Sequence, residues 1–99
     1  MELTKCTSLD EVREKIDVID EKIIAHIAQR NAYIKQAASF KNSVEEVKAE
    51  DRIESVIQNV RKKALLNDMS ANMMEDIYRL MINEMVETEI AELQNAKNL

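Results

Sequence analysis

The chain of 99 residues has no glycine, no proline and no tryptophan. Tight turns lean on Gly and Pro for their backbone angles, so the absence of both argues against a β-sandwich, a barrel or a hairpin fold. It also removes every Gly-rich phosphate loop and dinucleotide fingerprint. The single cysteine, Cys6, cannot form an internal disulfide, and the single histidine, His26, leaves no His/Cys metal cluster. No apolar run is long enough to span a bilayer, and the opening Met-Glu-Leu-Thr-Lys lacks the apolar core of a signal peptide. Fourteen basic residues against nineteen acidic ones give a net charge of −5, so no bulk field draws in nucleic acid or an anionic membrane. These absences lead to the expectation of a reduced cytoplasmic protein of one domain, residues 1–99, with no metal, no nucleic-acid partner and no membrane partner.

What is present is helical. Apolar residues make up 45% and charged residues 33%, a mix that suits amphipathic helices rather than disorder. Ser8-Leu9-Asp10-Glu11 reads as a capping box, in which Ser8 accepts from the Glu11 amide and Glu11 reaches back to the Ser8 amide. No breaker follows until about Asn42-Ser43. Leu9, Val12, Ile16, Ile19, Ile23, Ile27 and Ile34 recur at steps of three, four or seven and form one stripe. Ile53, Val56, Ile57, Val60 and Ala64 mark a second helix over residues 47–66. Asn67-Asp68 breaks it, and Ser70 caps a third helix over about 71–96. The expected fold is therefore all-α, three helices with a very long first one.

Length then argues for a partner. A first helix over residues 8–41 extends ~51 Å, whereas a compact chain of this size has a diameter of only ~33 Å. The apolar stripe persists along the overshoot, and a second copy of the chain is the simplest cover for it, giving an elongated homodimer.

Most charges read as a solvated face; the informative ones interrupt the apolar pattern. On a helical projection Arg30 and Lys41 fall inside the first helix's stripe, and Arg13 lies on its edge. Unpaired burial of such groups is costly, so each is either in an ion pair, snorkelling to water, or holding an anion. Arg30 and Lys41 lie ~16 Å apart along the axis, close enough for two long side chains to grip a small dianion. Arg13 is ~25 Å from Arg30, too far to join such a pocket easily in its own chain, whereas an antiparallel partner's Arg13 can reach it. On the third helix Glu89 follows Ile77, Met81 and Met85 and precedes Leu93, between Val86 and Ile90. Desolvation there raises a carboxyl pKa and leaves a neutral hydrogen-bond donor; the alternative is a Glu that escapes at the flank or pairs with a lysine. His26 reads as a surface residue, Cys6 as packing, and the six methionines as core filler.

Arg13, Arg30, Lys41 and Glu89, on three helices with a long first one, resemble the all-helical chorismate mutases. The stretch CTSLDEVREKIDVIDEKIIAHIAQR, continuing through YIKQAASFK, is most similar to the branch containing the isochorismate-pyruvate lyases of salicylate and siderophore synthesis. The resemblance covers about residues 6–93 and is specific in the R–x16–R–x10–K spacing and the LxxxRxxIDxIDxxI opening. It implies an intertwined homodimer with two equivalent sites, a dianionic substrate (chorismate or isochorismate) and no cofactor. In it Arg13 reaches the ligand from the partner chain, Arg30 holds a carboxylate, and Lys41 contacts the ether oxygen and a carboxylate. Glu89 stands beside that ether oxygen, where many bacterial mutases carry Gln. Met85 stands where many simple mutases carry a hydroxyl residue, and Asp51 matches the acid that opens the second helix. The implied activity is chorismate mutase. The alternatives are an isochorismate-pyruvate lyase, with both activities in one site, and a non-catalytic helical dimerisation or regulatory module.

Overall fold

The computed structural model describes residues 3–97. They are helical, with four helices and no strand among the described residues: α1 Leu9–Ala38, α2 Val44–Lys48, α3 Glu50–Leu66 and α4 Ala71–Lys97. They fall into two compact units that divide between Ala32 and Tyr33, inside α1. None of the described helices is long and apolar enough to cross a membrane.

The first unit is the α1 rod and the segment before it. Its start follows the expected cap in part: the Glu11 amide donates to Ser8 Oγ at 3.1 Å. The Glu11 carboxylate reaches back one residue further than expected, accepting from the Thr7 amide at 3.1 Å and from Thr7 Oγ1 at 3.0 Å. Those bonds hold the Glu11 carboxyl below its ordinary value, the Thr7 backbone bond first. No described residue before Tyr33 is buried. Ile16, Ile19 and Ile23 stay 49%, 51% and 49% exposed, so the predicted stripe is open along the rod.

The second unit holds the core. Ile57 of α3 is fully buried, with Ala64 of α3 and Ile82, Met85 and Leu93 of α4 nearly so. Val47 of α2 is buried as well, and α2 packs on α4. A chain of ion pairs straps α3 to α4. Arg61 bridges to Glu75 at 2.7 Å, Glu75 also accepts from Arg79 at 2.7 Å, and Arg79 makes a two-pronged contact with Glu54 at 3.1 and 3.2 Å. The Arg79 bond is the main reason the Glu75 carboxyl lies below its usual range. Such half-exposed pairs set register more than they add stability.

Two boundaries differ from expectation. The first helix ends at Ala38, not at 41. Ser39 Oγ donates to the Gln36 carbonyl at 2.7 Å, and the amides of Ser39, Phe40 and Lys41 turn to carbonyls three residues back. A side chain competing for a helical carbonyl, with the tightened last turn, closes the helix. The expected second helix is two helices with an elbow at Ala49, which sits at φ 31°, ψ 59°. Ser43 caps α2 by accepting from the Glu46 amide at 3.2 Å, and the Asn42 amide donates to Glu46 Oε2 at 2.9 Å. The Ser43-Val44-Glu45-Glu46 capping-box pattern was the available signal for this helix.

The end of α3 falls as expected, and its geometry is a Schellman motif. The Met69 amide donates to the Ala64 carbonyl at 2.8 Å and the Asp68 amide to the Leu65 carbonyl at 3.2 Å. Asp68 takes the left-handed position, φ 56°, that glycine fills most easily. Ser70 then caps α4, accepting from the Met73 amide at 3.1 Å.

Truncating the centre of the α3–α4 interface by Ile57→Ala is expected to lower unfolding stability by about 2–5 kcal/mol in urea titrations. Asp68→Gly is expected to raise it by about 1 kcal/mol by relieving the left-handed conformation, read as a higher urea midpoint at unchanged slope.

Candidate active site

Lys41 does not sit on a helical stripe; it sits in the turn between α1 and α2. Its backbone is pinned on both sides. The Lys41 amide donates to the Ala38 carbonyl at 3.2 Å, and the next amide, of Asn42, is held by Glu46. Val47 anchors the following helix in the core. The turn thereby delivers Lys41 to α4, where Nζ lies 2.7 Å from Glu89 Oε1. The Lys41 side chain is 26% exposed and that of Glu89 only 3%.

Glu89 lies on the buried face of α4, with Met85 one turn before it and Leu93 one turn after, both buried; Val86 and Ile90 are half-buried. Of the readings open for this residue, the structure gives the lysine partner. The ammonium reaches Oε1 off the direction of a hydrogen bond, so Oε1 is a buried oxygen with a counter-charge and unused hydrogen-bonding capacity. A carboxylate in that condition is held electrostatically but not saturated.

Arg30 and Arg13 belong to the other unit. Arg30 is half-buried near the C-terminal end of α1, and Arg13 is exposed in its second turn. Asp51 is exposed in the first turn of α3. With Glu45, Lys48 and Glu50 it lines an open depression of about 330 Å³. Three carboxylates to one ammonium make that depression unsuited to a dianion. His26 is exposed and Cys6 half-buried, its Sγ 3.7 Å from the Thr4 carbonyl. No group of three or more His, Cys, Asp or Glu among the described residues is arranged to hold a metal ion.

Of the residues singled out by sequence, then, the second unit brings Lys41 and Glu89 into direct contact across 48 positions of chain. Helical projection had placed Lys41 on the inward side for the wrong reason. The turn, not the stripe, directs it.

Comparison with known proteins gives a consistent answer. Residues 12–90 match the family described as chorismate mutase type II. The chain is 29% identical over 85 residues to the isochorismate pyruvate lyase of Pseudomonas aeruginosa, covering 86% of this chain and 84% of that protein. It is 30% identical over 93 residues to the chorismate mutase of Methanocaldococcus jannaschii, covering 91% of this chain and 94% of that protein. With the family match running from the second turn of the first helix to the residue after Glu89, the chain belongs to the chorismate mutase type II family.

Proposed function

We propose that this chain rearranges chorismate to prephenate in a cationic pocket shared between two subunits of a homodimer. The observation that carries the reading is the ion pair between half-buried Lys41 and buried Glu89. A solvated surface has no need of it, and a purely structural dimerisation module gives no reason for an acid to interrupt a core face and meet a lysine there. Family membership supplies the substrate class.

The rearrangement is a concerted pericyclic shift that needs no nucleophile or cofactor. The protein's work is to fold the enolpyruvyl arm over the ring and to stabilise negative charge growing on the ether oxygen as its bond to carbon breaks. In this reading Arg30 and the partner subunit's Arg13 clamp carboxylates with planar guanidinium forks. Lys41 places a point charge at the ether oxygen, with Glu89 on the same oxygen as a hydrogen-bond donor. Asp51 enters the reading as an acceptor for a substrate hydroxyl.

The open stripe of α1 supports the second subunit. Leu9, Val12, Ile16, Ile19, Ile23 and Ile27 are all exposed in the single chain, and a contiguous apolar face of this kind calls for cover. A second copy covers it through a self-complementary contact.

Elimination of pyruvate from isochorismate, leaving salicylate, is the second reading. It is favoured by the similarity to the Pseudomonas aeruginosa protein. The same positioning and the same charge at a breaking C–O bond serve both reactions. Ultraviolet assays with chorismate and with isochorismate measure the two activities side by side.

Lys41→Ala is expected to reduce kcat on the order of 10²–10³-fold, because it removes charge aimed at the breaking bond. A loss below tenfold displaces Lys41 from the site. Mixing inactive Arg13→Ala chains with inactive Lys41→Ala chains is expected to restore part of the activity, since one of the two mixed sites then carries both native residues. Absence of recovery under proven subunit exchange counts against a shared site.

A further inference from the structure

The ion pairs between α3 and α4 lie outside the candidate site, and stability alone does not account for them. Exposed pairs contribute little unless the contact is a two-pronged arginine fork or belongs to a network of charges, and this strap is both. Arg79 gives Nη1 and Nη2 to the two carboxylate oxygens of Glu54, at 3.1 and 3.2 Å, and Nε to Glu75 Oε2 at 2.7 Å. Glu75 Oε1 accepts from Arg61 Nη1 at 2.7 Å, and the same nitrogen donates to Asn72 Oδ1 at 3.0 Å. Glu54 and Arg61 stand ~10 Å apart along α3, and Asn72, Glu75 and Arg79 follow one another up α4. Directional contacts at two heights oppose sliding of one helix along the other.

Glu89 is the residue most sensitive to such sliding. It lies ten residues beyond Arg79, ~15 Å along the axis of a helix that is unbroken from Ala71 to Lys97. The buried residues between the two are Ile82 and Met85. Apolar burial is non-directional and a methionine adapts to irregular gaps, so neither residue fixes height as an ion pair does. Glu89 Oε1 makes no hydrogen bond that would hold it. Lys41 arrives from the turn ahead of α2, and α2 abuts α3 at Ala49. The height of Lys41 therefore follows α2 and α3, the height of Glu89 follows α4, and the strap joins the two.

We infer that Arg79 is a positioning residue: its fork on Glu54 sets the height of α4 at which Glu89 meets Lys41. It touches neither member of that pair and acts through the helix. The effect on the pair is independent of substrate, whereas its consequence for rate rests on the proposed chorismate chemistry. A lysine at this position keeps the charge but has no planar fork with which to engage Glu54 and Glu75 together. Arg79→Lys is therefore a geometric change rather than an electrostatic one.

The test has a structural arm and a kinetic arm, both on the full-length protein. Brief labelling with acetic anhydride, read lysine by lysine by mass spectrometry, measures how far each amine is held away from solvent. Lys35 and Lys48, both exposed, are the internal references. Arg79→Lys is expected to speed the labelling of Lys41 by about three- to fivefold, the scale on which one such contact acts, with the references unchanged. Its urea midpoint is expected to stay at the native value. Glu54→Gln, which takes the charge from the other side of the fork, is expected to shift Lys41 labelling in the same direction. In chorismate assays Arg79→Lys is expected to lower kcat by about three- to tenfold, since small misplacements of reacting groups are costly, with KM little changed. Lys41 labelling at the native rate in both variants overturns the positioning role, and so does a loss of kcat that only follows a loss of stability. Faster Lys41 labelling in a protein whose unmodified form turns over neither chorismate nor isochorismate supports the positioning role and overturns the mutase reading instead.

Discussion

A carboxylate on the core face of α4, and an ammonium brought within 2.7 Å of it by the turn after α1, are the constraint around which the second unit is organised. Removing two charges from water costs several kcal/mol per ion, and mutual attraction returns that only when geometry and remaining hydrogen bonds are favourable. Here Glu89 Oε1 makes no hydrogen bond at all. A pair of this kind is poor evidence for stability. Apolar residues of similar size fill such a face at lower cost, as Ile82, Met85 and Leu93 do on either side. In the proposed reading the position is retained for a ligand.

The local structure around the pair serves to deliver it. Alpha-helical geometry alone continues α1 through residue 41; a serine bond to a carbonyl and a tightened turn stop it three residues short. The short α2 follows, capped by Ser43 and anchored by Val47. Without glycine, two of the turns among the described residues fall to Ala49 and Asp68, which carry positive φ despite their side chains. Left-handed backbone of this kind costs on the order of 1 kcal/mol at each position and persists only where surrounding bonds fix it. At Asp68 those bonds are the full set of a helix-ending motif, and at Ala49 they are the abutting ends of α2 and α3.

The two units divide the labour. The rod before Tyr33 buries none of its described residues and presents its isoleucines to solvent, so its stability is bound to whatever covers it. The unit after it has a core of its own, closed by α3 and α4 and strapped by arginine–glutamate pairs. In the proposed homodimer an uncovered rod and a polar site would belong to one design, because covering the stripe would carry Arg13 toward a partner's pocket.

The sequence by itself determined the helical class, the stripe of α1, the caps at Ser8 and Ser70 and the break after α3. Each of these is written in residues within a turn or two of one another, where periodicity and capping chemistry act. It also singled out Lys41 and Glu89, because a charge among apolar residues breaks a pattern that is local. The elbow at Ala49 was not legible, since nothing in Lys48-Ala49-Glu50 opposes a continuous helix and only the packing of Val47 and Ile57 against α4 decides the bend. Nor was the partnership of Lys41 with Glu89. The residues lie far apart in the chain, and helical projection put the lysine on a helix that had already ended. Only tertiary structure joins them, because a turn and a distant helix meet by packing, and packing is not encoded in the spacing of either segment.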